Sequence, residues 1–348
     1  MWLATLRDLQ WRARRFLIAV LGTTVVFAMT LVLAGLSNAL RVEAARTVDG
    51  LGADAWVMPA GVHGPFLSVA AMPEAAAAEI RLLPGVRQAD PLLVLHQTVV
   101  VDEVTEVTLI GYRPGRLGAP RLVSGRMPEK PNELVVDAEL GAGTGASVTF
   151  AGRQFTVTGT VRQMTVNGGQ PLLFMRLADA QQLLVRGLPI VSMVLTAGVP
   201  ASLPAELTMR TPAQSRRDLV RPMDKAVRSI DITQLLLWCV AGLIVGSVVY
   251  LSALERLRDF AVFKATGAAT RTLLVGLASQ SVAVALAAAL LAAFVARLLV
   301  PLFPLDVVVP GRAYVFLPIV GLVVGLLACL SGLRRAVAVD PATAFGGP

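Results

Sequence analysis

The residues able to do chemistry are few, and their spacing does not bring them together. His63 and His96 are the only histidines and fall in different predicted elements, which argues against a histidine metal site. Cys239 and Cys329 both lie in apolar runs and no CxxC pair occurs, so neither a zinc cluster nor a disulfide scaffold is expected. The glycine-rich "GAGTGAS" at 141–147 invites comparison with a phosphate-binding loop. It carries no lysine and leads into a strand, so a turn is expected there. No GxGKS/T-type Walker sequence occurs anywhere. If ATP drives this chain, another subunit binds it.

A charged stretch interrupts the most apolar part of the chain: in "LERLRDFAVFKATGAATRTLL", Leu254–Leu274, Glu255, Arg256, Arg258, Asp259, Lys264 and Arg271 stand between two charge-free runs. Read as a helix, this stretch gathers Leu254, Leu257, Phe260 and Ala261 on one side and Glu255, Arg258 and Asp259 on another. Gly267 then supplies a stop before the next helix. Burying the ionisable residues from Glu255 to Lys264 in a bilayer would cost roughly 12–17 kcal/mol, at about 2.5–3.5 each. The stretch is therefore expected at or beyond the membrane surface. Two readings stay open from the residues: a helix that offers salt bridges to a partner, or a solvated loop with stop-transfer charges.

The elements that must position this stretch are apolar. Of 348 residues, 55% are hydrophobic and 16% charged, a membrane-like balance. Charge-free runs long enough to cross a bilayer occupy Phe16–Leu40, Ile232–Leu254, Thr272–Ala296 and Ala313–Leu333. Pro318 lies inside the last, where a membrane helix tolerates it. Arg7, Arg12, Arg14 and Arg15, then Arg256, Arg258, Lys264 and Arg271, then Arg334 and Arg335 mark one side of the membrane, against Arg297 and Arg312 on the other. The positive-inside rule places both termini in the cytoplasm and Arg41–Asp231 outside. The net charge of +8 then calls for anionic lipid headgroups and no nucleic acid.

The expected fold is a membrane protein of four transmembrane α-helices, one before and three after an inserted, mixed α/β extracytoplasmic domain. Residues 1–15 read as a cytoplasmic amphipathic helix, 16–40 as a span, and 41–231 as the external domain with its stalk. Then follow a span at 232–254, a cytoplasmic helix at 255–271, a span at 272–296, a short external loop at 297–312, a span at 313–333 and a cytoplasmic tail at 334–348. Within the external domain, "MPEAAAAEIRLLPGV" predicts a helix begun by Pro73 and ended by Pro84-Gly85. Residues 89–112 predict two strands about a turn near Asp102, and 146–161 a hairpin about Ala151-Gly152. "PLLFMRLADAQQLL" predicts a strand followed by a short helix, and Ile190–Thr196 another strand. Residues 213–231 predict a helix kinked by Pro222 that runs into the second span.

The spans contain no Asp, Glu, Lys, Arg or His; Gln280, between Ser279 and Ser281, is the most polar point in them, and packing is its expected role. Gly242 with Gly246, and Gly321 with Gly325, have the GxxxG spacing that lets membrane helices approach closely, within the chain or between chains.

Several stretches resemble the MacB/FtsX/LolE family of ABC-transporter permeases. "RDFAVFKATGA" at 258–268 and "GLRRAVAVDPATAF" at 332–345 are similar to the family's pattern between its second and third spans and to its closing pattern. "GADAWVMPAG" at 52–61, "GRMPEKPNELVVD" at 125–137 and "FTVTGTV" at 155–161 resemble its periplasmic core domain. Thr266 and Ala261 depart from the family's more frequent residues. The resemblance implies a non-catalytic, multi-pass permease subunit of the bacterial cytoplasmic membrane, two copies of which pair with two cytoplasmic ABC ATPase subunits. This chain would bind no cofactor, ATP and Mg belonging to the ATPase. Glu255, Arg256, Arg258, Asp259, Phe260, Phe263, Lys264 and Gly267 would form the coupling helix that docks on it. The work done outside would be extrusion of a substrate by mechanotransmission or, alternatively, FtsX-like regulation of an external cell-wall enzyme without cargo.

Overall fold

The computed structural model describes residues 13–66, 71–101, 103–255, 270–303 and 307–337. Two compact units emerge, Leu40–Lys225 and, together, Met1–Ala39 with Ala226–Pro348. The helix α1, Ala13–Gly50, is continuous through the first boundary and runs ten residues past the charge-free run that ends at Leu40.

The central strands of the unit Leu40–Lys225 are buried on both faces. β1 (Ala55–Pro59), β2 (Met72–Pro73), helix α2 (Ala76–Arg81), β3 (Gln88–Val100), β4 (Val104–Tyr112), β5 (Ser124–Gly125) and β6 (Glu133–Asp137) follow α1. Then come a 3-10 turn (Ala138–Leu140), β7 (Ser147–Phe150), β8 (Arg153–Val161), β9 (Thr165–Val166), β10 (Gln170–Arg176), α3 (Leu177–Leu184), β11 (Ile190–Val191), β12 (Met193–Ala197) and β13 (Leu207–Arg210). The main sheet runs β13-β1-β12-β3-β4-β10-β6-β8-β5, and β7 pairs with both β3 and β8, closing a circuit of strands. The β10–β4 and β6–β8 pairs are parallel, the other pairs antiparallel.

Period-two alternation divides the core. Val107, Leu109, Leu134, Val136, Leu173 and Met175 join the layer that holds Ala77 and Ile80 of α2 and Leu177 and Ala180 of α3. Ile110, Tyr112, Val135, Leu172 and Phe174 join the opposite layer, with Ala44 and Val48 of α1 and Leu51 just beyond it. Because both faces are covered, "LLVL", "TLIGY" and "ELVVD" read as apolar runs without a polar side. At Gly111 of β4, an added Cβ would lie 2.7 Å from the Ala180 Cβ, so the approach of α3 to the sheet requires glycine.

Two local expectations change. Pro73 does not start α2: it pairs in β2 with Ile190, and the Glu74 amide donates to the Pro189 carbonyl at 2.8 Å, so the helix begins at Ala76. Proline's fixed φ suits an edge strand as well as a helix start. The single strand expected over Ile190–Thr196 is split at Ser192. Its hydroxyl both accepts from the Val94 amide, at 3.0 Å, and donates to the Val94 carbonyl, at 3.1 Å, so β11 joins β2 while β12 joins β1 and β3.

Helix α4 (Pro212–Val220) opens with a capping box, the Thr211 hydroxyl accepting from the Gln214 amide and the Gln214 side chain from the Thr211 amide, with Pro212 in the first turn. Pro222 has no N–H to continue the ladder, and a 3-10 turn, Arg221–Met223, precedes α5 (Asp224–Glu255).

In the other unit, α1 and α5 are joined by α6 (Thr270–Leu299), a 3-10 turn (Val300–Leu302) and α7 (Gly311–Val337). Along α6, Ala285, Ala288, Ala289, Ala292 and Ala296 are buried while Leu286, Leu290, Phe294 and Leu298 are exposed. Small residues inside and large apolar ones outside is the arrangement that lipid, and not water, favours. Leu17, Ile18, Leu21 and Val25 of α1 face outward in the same way. Among the described residues, the helices within Phe16–Gly50, Pro212–Val248 and Ala278–Leu302 are long and apolar enough to cross a membrane; Gly311–Val324 is a shorter apolar helix.

Candidate functional site

The residues expected to couple this chain to a partner lie largely outside the described residues. Helix α5 ends at Glu255 and α6 begins at Thr270. Arg256, Arg258, Asp259, Phe260, Phe263, Lys264 and Gly267 fall between them, outside the described residues, as do residues 1–12 and 338–348.

Of the paired glycines, Gly321 and Gly242 face neighbouring helices. A Cβ on Gly321 would meet the Ala285 carbonyl oxygen at 3.3 Å and the Phe27 ring at 3.5 Å, so α7 approaches α6 through its backbone. A Cβ on Gly242 would meet Val324 at 3.7 Å, an ordinary contact. Gly246 is buried one turn along α5, and Gly325 lies in α7. Gln280 and Ser281 are buried in α6, and the Ser281 hydroxyl donates to the Ala278 carbonyl at 3.0 Å. A tighter fit occurs at Gly35, where a Cβ would stand 2.5 Å from a Val307 methyl and 2.9 Å from a Val309 methyl. One turn on, the Asn38 amide donates to the Val308 carbonyl at 2.9 Å.

Three polar clusters occupy the α/β unit. The first lies in the "GRMPEKPNELVVD" stretch. Arg126 donates two hydrogen bonds to the Glu133 carboxylate, which also accepts from the Glu129 and Lys130 amides. The Arg126 guanidinium foremost, with these amides, outweighs burial and holds the Glu133 carboxyl down to about 2. Arg176 extends the cluster through a two-pronged pair with Asp179 and a bond to the Glu129 carbonyl.

The second cluster joins Glu74, Arg113 and Gln181. Burial raises the Glu74 carboxyl, but hydrogen bonds from Gln181 and Arg113, with the charge of Arg113, leave it below its ordinary value. Glu74 and Arg113 border a groove of about 400 Å³ whose other walls are Ala75, Ala77, Ala78, Arg81, Ala89 and Pro189. Such walls offer surface for binding and no nucleophile.

The third cluster was not singled out by sequence reasoning. In the hairpin of β9 and β10, the Gly169 amide donates to the Glu43 carboxylate of α1 at 3.0 Å, and the Thr47 hydroxyl donates to the Thr165 carbonyl at 2.7 Å. "VNGG" at 166–169 is a turn signal between apolar stretches, and it could have marked this place.

Among the described residues no group of three or more His, Cys, Asp or Glu is placed to hold a metal. His96 is engaged by the Thr108 hydroxyl at 2.9 Å and the Phe66 carbonyl at 3.0 Å, which gives it a structural role.

Comparison with known proteins agrees with this division of the chain. Residues 232–341 match the FtsX-like permease C-terminal family, and residues 16–207 match the MacB-like periplasmic core domain. The chain belongs to the FtsX/MacB family of ABC transporter permeases. Two Mycobacterium tuberculosis relatives, the uncharacterized ABC transporter permeases Rv2563 and Rv0072, are 47% and 44% identical to it over 99% of each chain. Among solved structures, the periplasmic region of MacB from Actinobacillus actinomycetemcomitans is similar at 12% identity and a TM-score of 0.35, over 49% of this chain and 94% of that one. As an FtsX/MacB permease with its exposed apolar helices, the chain is a membrane protein, and its α/β unit is a MacB-like periplasmic core domain.

Proposed function

We propose that this permease subunit passes motion generated by a separate cytoplasmic ATPase to its periplasmic core domain, and that this motion extrudes a substrate from the cell envelope. The observation that best supports this reading is the continuity of α1. One uninterrupted helix, Ala13–Gly50, contains the charge-free run that ends at Leu40 and also Ala44 and Val48, which are part of the α/β core. A helix of this kind transmits displacement along its axis because each peptide is tied to the next turn.

In this reading the chain crosses the membrane four times, the fourth through α7, with both termini in the cytoplasm and Arg41–Asp231 outside. Residues 1–15 lie along the inner surface and residues 334–348 form a cytoplasmic tail. Two permease chains pair with two ATPases, which bind ATP and Mg. Glu255, Arg256, Arg258, Asp259, Phe260, Phe263, Lys264 and Gly267 form the docking helix, while Gly242, Gly246, Gly321 and Gly325 keep the spans close.

The test is reversal of charge, Arg258→Glu or Asp259→Arg, in the complex purified with its ATPase. Like charges set against a partner cost several kcal/mol, and each 1.4 kcal/mol is tenfold in binding. The permease is expected to insert normally while partner binding and substrate-stimulated ATP hydrolysis fall by about tenfold or more. Wild-type coupling in both variants would remove the assignment.

A further inference from the structure

The hairpin of β9 and β10 turns through Asn167, Gly168 and Gly169, whose φ angles are 55°, 82° and 105°. Consecutive left-handed residues are costly for side-chain-bearing positions, and glycine holds two of the three here. Turns of this kind aim backbone N–H groups into one concavity suited to an anion. The anion in this chain is its own. The Glu43 carboxylate of α1 accepts from the Gly169 amide at 3.0 Å, with the Gly168 amide and the Thr165 hydroxyl also directed at it. One turn further along α1, the buried Thr47 hydroxyl donates to the Thr165 carbonyl at 2.7 Å. Leu40, Ala44, Val166, Leu219, Val220 and Met223 wall the site and leave a cavity of about 10 Å³, room for about one water.

Apolar packing alone would hold α1 against the sheet without fixing its position along its own axis, because hydrophobic contact is non-directional. Hydrogen bonds weaken steeply once length and angle depart from their optimum. A slip of α1 by one turn, about 5.4 Å, would take both side chains out of reach of the hairpin. What they hold is central to the sheet. β10 pairs with β4 through Leu172–Arg176 and with β6 through Leu173 and Phe174.

We propose that Glu43 and Thr47 are positioning residues that clip α1 to the β9–β10 hairpin, so that axial displacement of the helix is delivered to the middle of the sheet. This inference rests on the reading of the chain as a subunit that transmits motion. Glu43 supplies the anion for the glycine turn, and Thr47 fixes the rotation of the helix by its second bond.

The experiment is hydrogen exchange on the full chain in lipid nanodiscs with its ATPase, compared without nucleotide and with ATP plus vanadate. The quantity read is the difference between the two states in peptides covering 165–176, which a uniform loss of stability leaves unchanged. Wild type is expected to show an ATP-linked difference there, Glu43→Ala and Thr47→Val to lose it, and Glu43→Gln, which keeps an acceptor for the Gly169 amide, to recover part of it. ATPase binding is retained in all three. A full ATP-linked difference in both Glu43→Ala and Thr47→Val would overturn the clip while leaving the transmission reading intact. Absence of any ATP-linked difference across the wild-type core domain would overturn the transmission reading, and the clip with it.

Discussion

Replacing Glu133 by glutamine should lower the stability of the core domain at neutral pH and remove part of its acid sensitivity. The carboxylate accepts from Arg126 at 2.8 and 2.5 Å and from the Glu129 and Lys130 amides at 2.9 and 3.0 Å. Those donors move its pKa from 4.5 to about 2. A carboxyl whose folded value is depressed stabilises the fold fully above its unfolded value and loses that contribution as pH falls toward the folded one. That depression corresponds to about 3 kcal/mol. The Arg126 side chain is 47% exposed, and solvent screening reduces the expectation to about 1–2 kcal/mol. For a unit the size of Leu40–Lys225, that is about 2–8 °C in melting temperature. Thermal unfolding of the full chain in detergent should show this gap between wild type and Glu133→Gln at pH 7. At about pH 3 more than half of it should have closed, because the unfolded wild-type carboxyl is then protonated. Arg126→Ala should reproduce most of the loss at pH 7, and the double variant should lose little more than either single one. A gap of equal size at both pH values, or none at pH 7, would refute the argument.

Further outcomes follow from close approaches. Gly111→Val should destabilise the core domain by about 1–3 kcal/mol, since its Cβ alone would stand 2.7 Å from Ala180, and thermal unfolding should place the loss in the α/β unit. Asn38→Leu, which deletes the bond to the Val308 carbonyl, should weaken the membrane unit by about 0.6–1.7 kcal/mol in a detergent unfolding titration. Gly35→Val should cost more than Asn38→Leu in the same titration, because a Cβ there would meet Val307 at 2.5 Å and Val309 at 2.9 Å.

Where membrane character was legible in the sequence, single-segment physics made it so. Charge-free runs, arginine placement and the charged stretch at 254–274 each report on local free energies of transfer, which need no tertiary partner. The two hairpins, about 102 and about Ala151-Gly152, were likewise readable, because turn residues and alternation are local. "GRMPEKPNELVVD" was recognisable as a motif, but only the folded chain shows Glu133 as the acceptor that joins Arg126 to two amides seven or fewer residues away.

By itself, then, the sequence determined which segments favour lipid, where charge forbids it, and where the backbone must turn. Tertiary structure decided what depends on distant partners. Pro73 became a strand residue because Pro189 and Ile190 stand beside it. Ser192 split a strand because Val94 offered both a donor and an acceptor. Glu43 is the first acidic residue beyond an apolar run, and its hydrogen-bond partner is set by a glycine turn 126 residues later that folds against it. Hydrogen bonds are selective in distance and angle, so a carboxylate's partner is fixed by where the chain returns and not by its neighbours in sequence.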